Sequence, residues 1–283
     1  MTAGPPPLPA FSDVPPRLFP MSTADILDGA FRLLRDNFRA IAIIVGCVIV
    51  PARILVAFLE RNTFGGLALS SYLRDPSTTS SGNGLQTGRL LLSVGTDVLL
   101  LPFAAAAIAL VVSGSYLGHP VGPGAALRAT GRRAHSLLAA WLAWHPIELI
   151  GFGSCVLPGF AVMTLFVMVA PALMIEQLSF GKALSRSSQL AGRRFWFTLG
   201  VVALSSLIAQ ILGLVLAGVP DLVAFVIGLH WGWLVLALGA ALSSFIVTPV
   251  AAVTATLLYV DARVRTEGLD LELMAAGLAR SGG

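Results

Sequence analysis

The sequence predicts an all-α, polytopic transmembrane helical bundle of about six spans, with amphipathic interfacial helices on the cytoplasmic side. Three observations carry that expectation. Of 283 residues, 56% are hydrophobic and 11% charged, with a mean hydropathy of +0.86, too little polar surface to coat a water-soluble globule. Apolar runs of roughly 20 residues, the length a helix needs to cross a bilayer, recur between short charged stretches. The roughly ten-residue alternation of outer-membrane barrel strands does not occur.

The elements follow in order. Residues 1–21 read as an unstructured Pro-rich tail, because no basic region precedes a compact apolar stretch as a cleavable signal would require. Residues 22–271 form a single membrane domain, and 272–283 a second tail. Ser22 and Asp25 suit a helix N-terminus, after which Ile26, Ala30, Leu33 and Leu34 recur at helical spacing opposite Asp28, Arg32 and Arg35. That is an amphipathic helix lying in the interface. The first span covers about 38–58, a Ser/Thr/Gly-rich mobile loop covers 62–88, and the second span covers about 90–114. A short basic amphipathic segment at 123–134 precedes two spans, 137–156 and 160–175, joined in a tight hairpin around Pro158-Gly159. A further basic stretch, 179–194, leads to spans at 198–219 and 231–259, with an apolar connection at 220–230.

Basic residues test this topology, since cytoplasmic segments beside spans carry the excess of Lys and Arg. With both termini in the cytoplasm, the inner segments hold fourteen of the eighteen basic residues, among them Arg128, Arg132, Arg133, Lys182, Arg186, Arg193 and Arg194. The outer side holds Arg61, Arg74 and Arg89, and Arg53 sits inside a span. Such arginines orient the chain and meet lipid headgroups, which makes membrane lipids and other membrane proteins the expected partners and nucleic acid not one. A single lysine against seventeen arginines points to a GC-rich bacterial genome, hence a bacterial plasma membrane. Each odd span follows a similar basic stretch, so a threefold helix-plus-hairpin repeat and chance accumulation of Arg and Ala on the inner face are both open readings.

Two stretches are familiar together: Pro171-Ala172-Leu173-Met174-Ile175-Glu176 with Ala183-Leu184-Ser185-Arg186-Ser187, and Thr248-Pro249 leading to residues 258–270. They resemble the membrane-domain superfamily fused to some glycerophosphoryl diester phosphodiesterases and also found alone as actinobacterial membrane proteins. The resemblance covers about 23–271 and implies a bundle with interfacial helices on its inner face and an accessory membrane role. It implies no phosphodiesterase activity, because that needs a soluble barrel of roughly 250 residues, and no polar segment here exceeds about thirty.

Charges inside a span cost roughly 2.5–3.5 kcal/mol on insertion scales and are default functional candidates that need partners. Four stand out: Arg53, Asp97, His145 and Glu148. At about 1.5 Å per residue, Arg53, Asp97 and Glu148 all lie about 9–12 Å from the outer end of their spans, so Arg53 is expected to meet one or both carboxylates. The cluster reads either as an outward-opening site for an anionic headgroup or for proton relay, or as an ion pair locking helices while Arg53 snorkels. Glu176 is expected to pair with a neighbour such as Arg186, and Asp261 with Arg263 and Arg265 to anchor the inner interface. Small residues at four-residue spacing, from Ser205 to Ala217 and from Ala240 to Thr256, mark close helix contacts, with Gln210 bridging them. Trp231, Trp233 and Tyr259 suit aromatic belts. Cys47 and Cys155 lie in apolar surroundings without metal or redox spacing and read as buried free thiols.

No HExxH, GxSxG, Walker loop or dinucleotide fingerprint occurs. No catalytic residue, metal or cofactor is therefore assigned. The leading expectation is a non-enzymatic scaffold or accessory protein binding lipid or partner proteins through its basic inner face. The alternative is a small transporter or lipid flippase using the intramembrane Arg/Asp/Glu cluster; an intramembrane enzyme ranks third. A cavity reaching the polar cluster separates transport from a solid scaffold.

Overall fold

A computed structural model describes residues 20–60, 83–227, 232–269 and 271, and for residues 59–60, 83–99, 156, 225 and 227 the backbone alone. Residues 62–82 of the loop expected at 62–88, residues 1–19 and 272–283 of the two expected tails, Arg61, Arg74 and Trp231 lie outside the described residues, whereas Met21, expected in the unstructured tail, is buried.

Ten helices make up the described chain, and no strand occurs among those residues. They are α1 (Thr23–Asp36), α2 (Phe38–Glu60), α3 (Asn83–Tyr116), α4 (Pro123–Arg132), α5 (Ala134–Ser154), α6 (Val156–Phe166), α7 (Val169–Ile175), α8 (Phe180–Arg193), α9 (Phe195–Ile227) and α10 (Gly232–Glu267). Among the described residues, four stretches are long and apolar enough to cross a membrane: Phe38–Phe58, Leu157–Ile175, Phe195–Ala224 and Gly232–Glu267. The first is α2, the second α6 with α7, the third most of α9, and the last is α10.

Local chemistry explains the ends. Ser22 and Asp25 close a reciprocal capping box on α1, the Ser22 amide donating to the Asp25 carboxylate at 2.8 Å. Hydrogen bonding to Ser22 holds the Asp25 carboxyl below its ordinary range, so the cap persists above that range and is lost only as pH falls through the lowered value. The face of α1 formed by Ile26, Gly29, Ala30 and Leu33 is buried against α10, where Leu257 reaches Gly29. The same spacing buries Ala183, Ser187, Leu190 and Ala191 on α8.

Several boundaries differ from expectation. Helix α3 begins at Asn83, ahead of the apolar run, because Gln86, Thr87 and Arg89 are all compatible with continued helix. The α5–α6 hairpin turns at Cys155, whose backbone is extended, and Pro158 falls in the first turn of α6, where a missing amide is harmless. Gly151 is what permits the hairpin, since a Cβ there would meet the Gly159 amide nitrogen at 2.9 Å. The supposed connection at 220–230 is instead helical as far as Ile227, with Pro220 inside α9. Between α6 and α7 the helix breaks at Val167 and Met168. Ser187 stitches that break: its buried hydroxyl accepts from the Met168 amide at 3.2 Å and donates to the Leu165 carbonyl at 2.8 Å.

The core gathers around α10, which is almost continuously buried from Thr248 to Val264 apart from Ala251 and Arg263. Small residues let these apolar helices approach closely, as helices that associate within a bilayer do. Ser205, Ala209, Ser244, Thr248, Ala252 and Thr256 of the two stripes are buried, and a Cβ on Gly213 would stand 2.7 Å from Val247 of α10. Gln210 does not bridge the stripes but is exposed on the outer side of α9. Both cysteines are free but exposed, since apolar sequence context in a membrane bundle describes lipid as readily as protein interior.

Gly239 tests the α9–α10 contact, because a Cβ there would lie 2.7 Å from the rigid ring of Pro220. Gly239→Val is expected to lower stability by about 1–3 kcal/mol, seen as a reduced unfolding midpoint in detergent. Gly200→Ala, with nothing within 4 Å, is expected to be neutral or stabilising by up to about 1 kcal/mol.

Candidate functional site: a cavity among apolar helices

A partly open cavity of about 340 Å³ lies between α3, α5, α6, α7, α9 and α10. Prolines shape it. Pro102 and Pro171 sit on its wall, and Pro146 interrupts α5 on the opposite, exposed side. Pro102 and Pro146 each remove a helical hydrogen bond, whereas Pro171 falls in the first turn of α7, where a missing amide is harmless.

One face of α5 supplies the polar wall. Trp141, Trp144, His145 and Glu148 are spaced i, i+3, i+4 and i+7, so they form one stripe, and all four line the cavity. Leu142, Ile147, Leu149 and Ile150 on the other faces are exposed, as suits contact with lipid. The indoles of Trp141 and Trp144 meet edge to face at 4.9 Å and 78°. The His145 ring stacks on Trp141 at 4.9 Å and 19°, and Phe166 stacks on Trp144 at 5.8 Å. Glu148 is 6% exposed, and its Oε2 lies 2.7 Å from His145 Nδ1. The approach is off line for a hydrogen bond, so both atoms, with Trp141 Nε1, Trp144 Nε1 and Thr254 Oγ1, are buried without a hydrogen-bond partner. All five belong to residues on the cavity wall. His145 and Glu148 are its only ionisable groups among the described residues.

Of the four residues expected to cluster, two are described together on the cavity wall. His145 and Glu148 come together. Arg53 is half-buried on α2, a helix packed chiefly on α10 and α3, and does not line the cavity. The side chain of Asp97 lies outside the described residues, so the Arg53–Asp97 pairing remains an expectation. The neighbour found for Glu148 is His145. Trp141 and Trp144 went unremarked in the sequence, although their i, i+3 spacing ahead of Glu148 was there to be read.

A second polar assembly sits at the other end of α10. Glu176, where α7 ends, receives Arg186 at 2.8 Å, as expected, and Arg186 also meets Glu267 at 2.5 Å. Hydrogen bonding to Glu267, reinforced by Glu176 and opposed by burial, raises the proton affinity of Arg186 above that of an ordinary arginine. Arg263 lies 3.1 Å from Glu267 and 3.5 Å from Glu176, and the Tyr259 hydroxyl donates to Glu176. Tyr259 is therefore buried, 1% exposed, rather than part of an aromatic belt. Asp261, also buried, is held by Arg265 at 3.0 Å and Arg194 at 3.4 Å and accepts from the Met21 amide at 2.7 Å. Arg265 donates to the Met21 carbonyl at 2.8 Å, which fastens the chain ahead of α1 onto α10.

The seven bases expected to meet lipid or partners divide as well. Arg133 donates to the Leu178 carbonyl at 3.0 Å and the Leu173 carbonyl at 3.4 Å, satisfying the end of α7. Arg186 belongs to the Glu176 assembly, and Arg194 both reaches Asp261 and lies 4.0 Å over the Phe197 ring. Arg128, Arg132, Lys182 and Arg193 are exposed. Among the described residues no group of His, Cys, Asp and Glu has a metal-holding arrangement.

No known family's sequence profile matches the chain, and neither a characterised protein nor a solved structure is similar enough to align with it.

Proposed function

We propose that the chain is a six-span protein of a bacterial plasma membrane, with both termini cytoplasmic, that takes up a small amphiphilic molecule in the cavity and moves it within or across the bilayer. The observation that carries this reading is the cavity itself, with an acid, a histidine and two indoles set in an otherwise apolar wall. Sites for small ligands have this make-up, apolar with a few convergent polar groups, in volumes of roughly 300–1,000 Å³. Ionisable residues kept at membrane depth are functional candidates for the same energetic reason.

Six spans follow if α3 and α5 join the four long apolar stretches. Helix α5 has 21 residues, about 32 Å at 1.5 Å each, enough for a hydrocarbon core of about 30 Å. The basic asymmetry then puts α1, α4 and α8 on the cytoplasmic face. The kinship with the membrane region of glycerophosphodiesterases belongs to the same proposal and rests on the residues quoted for it. In this reading the protein carries its ligand and does not transform it. The scaffold reading retains one support, the exposed Arg128, Arg132, Lys182 and Arg193, each worth about 1 kcal/mol against an anionic lipid surface.

Mass spectrometry of lipids and small molecules that copurify with the protein tests the proposal. Wild type is expected to retain an amphiphile that Ala105→Trp and Ser206→Trp, which fill the cavity from different walls, both lose. Identical copurifying sets from wild type and two folded variants would overturn it.

A further inference from the structure

We infer that the cavity selects cations: its ligand is a single-tailed amphiphile with an ammonium headgroup, held between the Trp141 and Trp144 indoles and the Glu148 carboxylate. This rests on the reading of the cavity as a ligand site and names the ligand's class.

Charge decides first. The only acidic group on the described wall is Glu148, nine-tenths buried, and no lysine or arginine faces it there. An anionic headgroup would be repelled by that carboxylate and would find no countercharge on the described wall beyond His145, which already faces Glu148. A cation supplies the compensation that burial takes away from water. Geometry decides second. Trp141 and Trp144 line the cavity and meet edge to face, with His145 stacked on Trp141 and Phe166 on Trp144. The indole surface left to the cavity belongs to the best of the aromatic side chains for cation–π attraction, strongest where water is excluded. Substituted ammonium groups are what an indole beside a buried carboxylate accepts. His145 lies 2.7 Å from one carboxylate oxygen and is stacked on Trp141, which orients the stripe. Volume decides third. At about 340 Å³ the site lies at the small end of ligand cavities and suits one headgroup with one short tail. The remaining wall, Leu101, Met163, Val202 and Val247 among others, is apolar and accommodates that tail.

Equilibrium dialysis of the full chain in uncharged maltoside micelles, with protein-free micelles subtracted, tests this with three probes of equal tail length. They are decyltrimethylammonium, its uncharged isostere with carbon in place of nitrogen, and decyl sulfate. The trimethylammonium probe is expected to bind about tenfold more tightly than the isostere, with decyl sulfate weakest. Glu148→Gln should abolish the preference for the cation over the isostere, and Trp141→Leu should reduce it by several fold. Equal binding of cation and isostere to wild type, both lost in Ala105→Trp, would overturn cation selection and leave the ligand cavity standing. Saturable binding of no probe, or binding unaffected by Ala105→Trp and Ser206→Trp, would overturn both.

Discussion

Asp261→Ala is expected to destabilise the bundle by about 3–5 kcal/mol, the usual cost of removing one partner from a buried ionic group. Asp261 is 2% exposed, and its carboxylate meets Arg265, Arg194 and the Met21 amide together. Alanine removes the acceptor shared by two guanidinium groups and a backbone N–H, and it releases the segment that leads into α1. Asp261→Asn, which keeps an acceptor for Met21 but not the charge, is expected to lose less. Thermal unfolding in detergent measures both. A fall of less than about 1 kcal/mol for Asp261→Ala would mean that water or lipid headgroups replace all three contacts.

That assembly also shows what the sequence could and could not express. The Glu176–Arg186 pair was legible because Glu176 closes a recognisable helix and Arg186 belongs to the basic stretch that follows it in sequence. The partnership of Asp261 with Met21, some 240 positions away, was not, because it depends on how α1 lies along α10. Tyr259 illustrates the same limit. An aromatic residue near a span's end fits an interfacial belt by pattern, but its burial follows from Glu176 arriving on another helix. The Ser22 capping box and the buried stripe of α1 were readable because both are local periodicities. The apolar stretch at 220–227 was misread as a connection because Pro220 usually ends a helix, whereas close packing on Gly239 accommodates it here.

The cavity was beyond pattern reading for a different reason. Depth along a span can be counted from its end, and counting placed Arg53, Asp97 and Glu148 together. Azimuth cannot be counted, because it depends on which helices touch, and the turn of α5 that brings His145, Glu148 and the two indoles onto one cavity wall is set by its neighbours. What the sequence did contain was the stripe Trp141, Trp144, His145 and Glu148, whose i, i+3, i+4 and i+7 spacing puts two indoles and two ionisable groups on one side of one helix. Apolar residues around the stripe masked it.

Replacing His145 by Phe and Glu148 by Met together is expected to raise the stability of the ligand-free protein by about 1–4 kcal/mol, the range seen when buried ionic pairs give way to apolar side chains of similar size. Nδ1 of His145 and Oε2 of Glu148 face each other at 2.7 Å without a well-aligned hydrogen bond, so their mutual contact has to offset the desolvation of both groups. Phenylalanine keeps the stacking on Trp141, and methionine fills an irregular apolar wall readily. Stability and binding should therefore move in opposite directions in this variant, with a higher unfolding midpoint and loss of the copurifying amphiphile. The single change Glu148→Met should reproduce most of both effects, because the acid is the more deeply buried of the two. A lower midpoint in the double variant would show that the pair holds the helices together, and the groups on the cavity wall would then owe their presence to packing and not to a ligand.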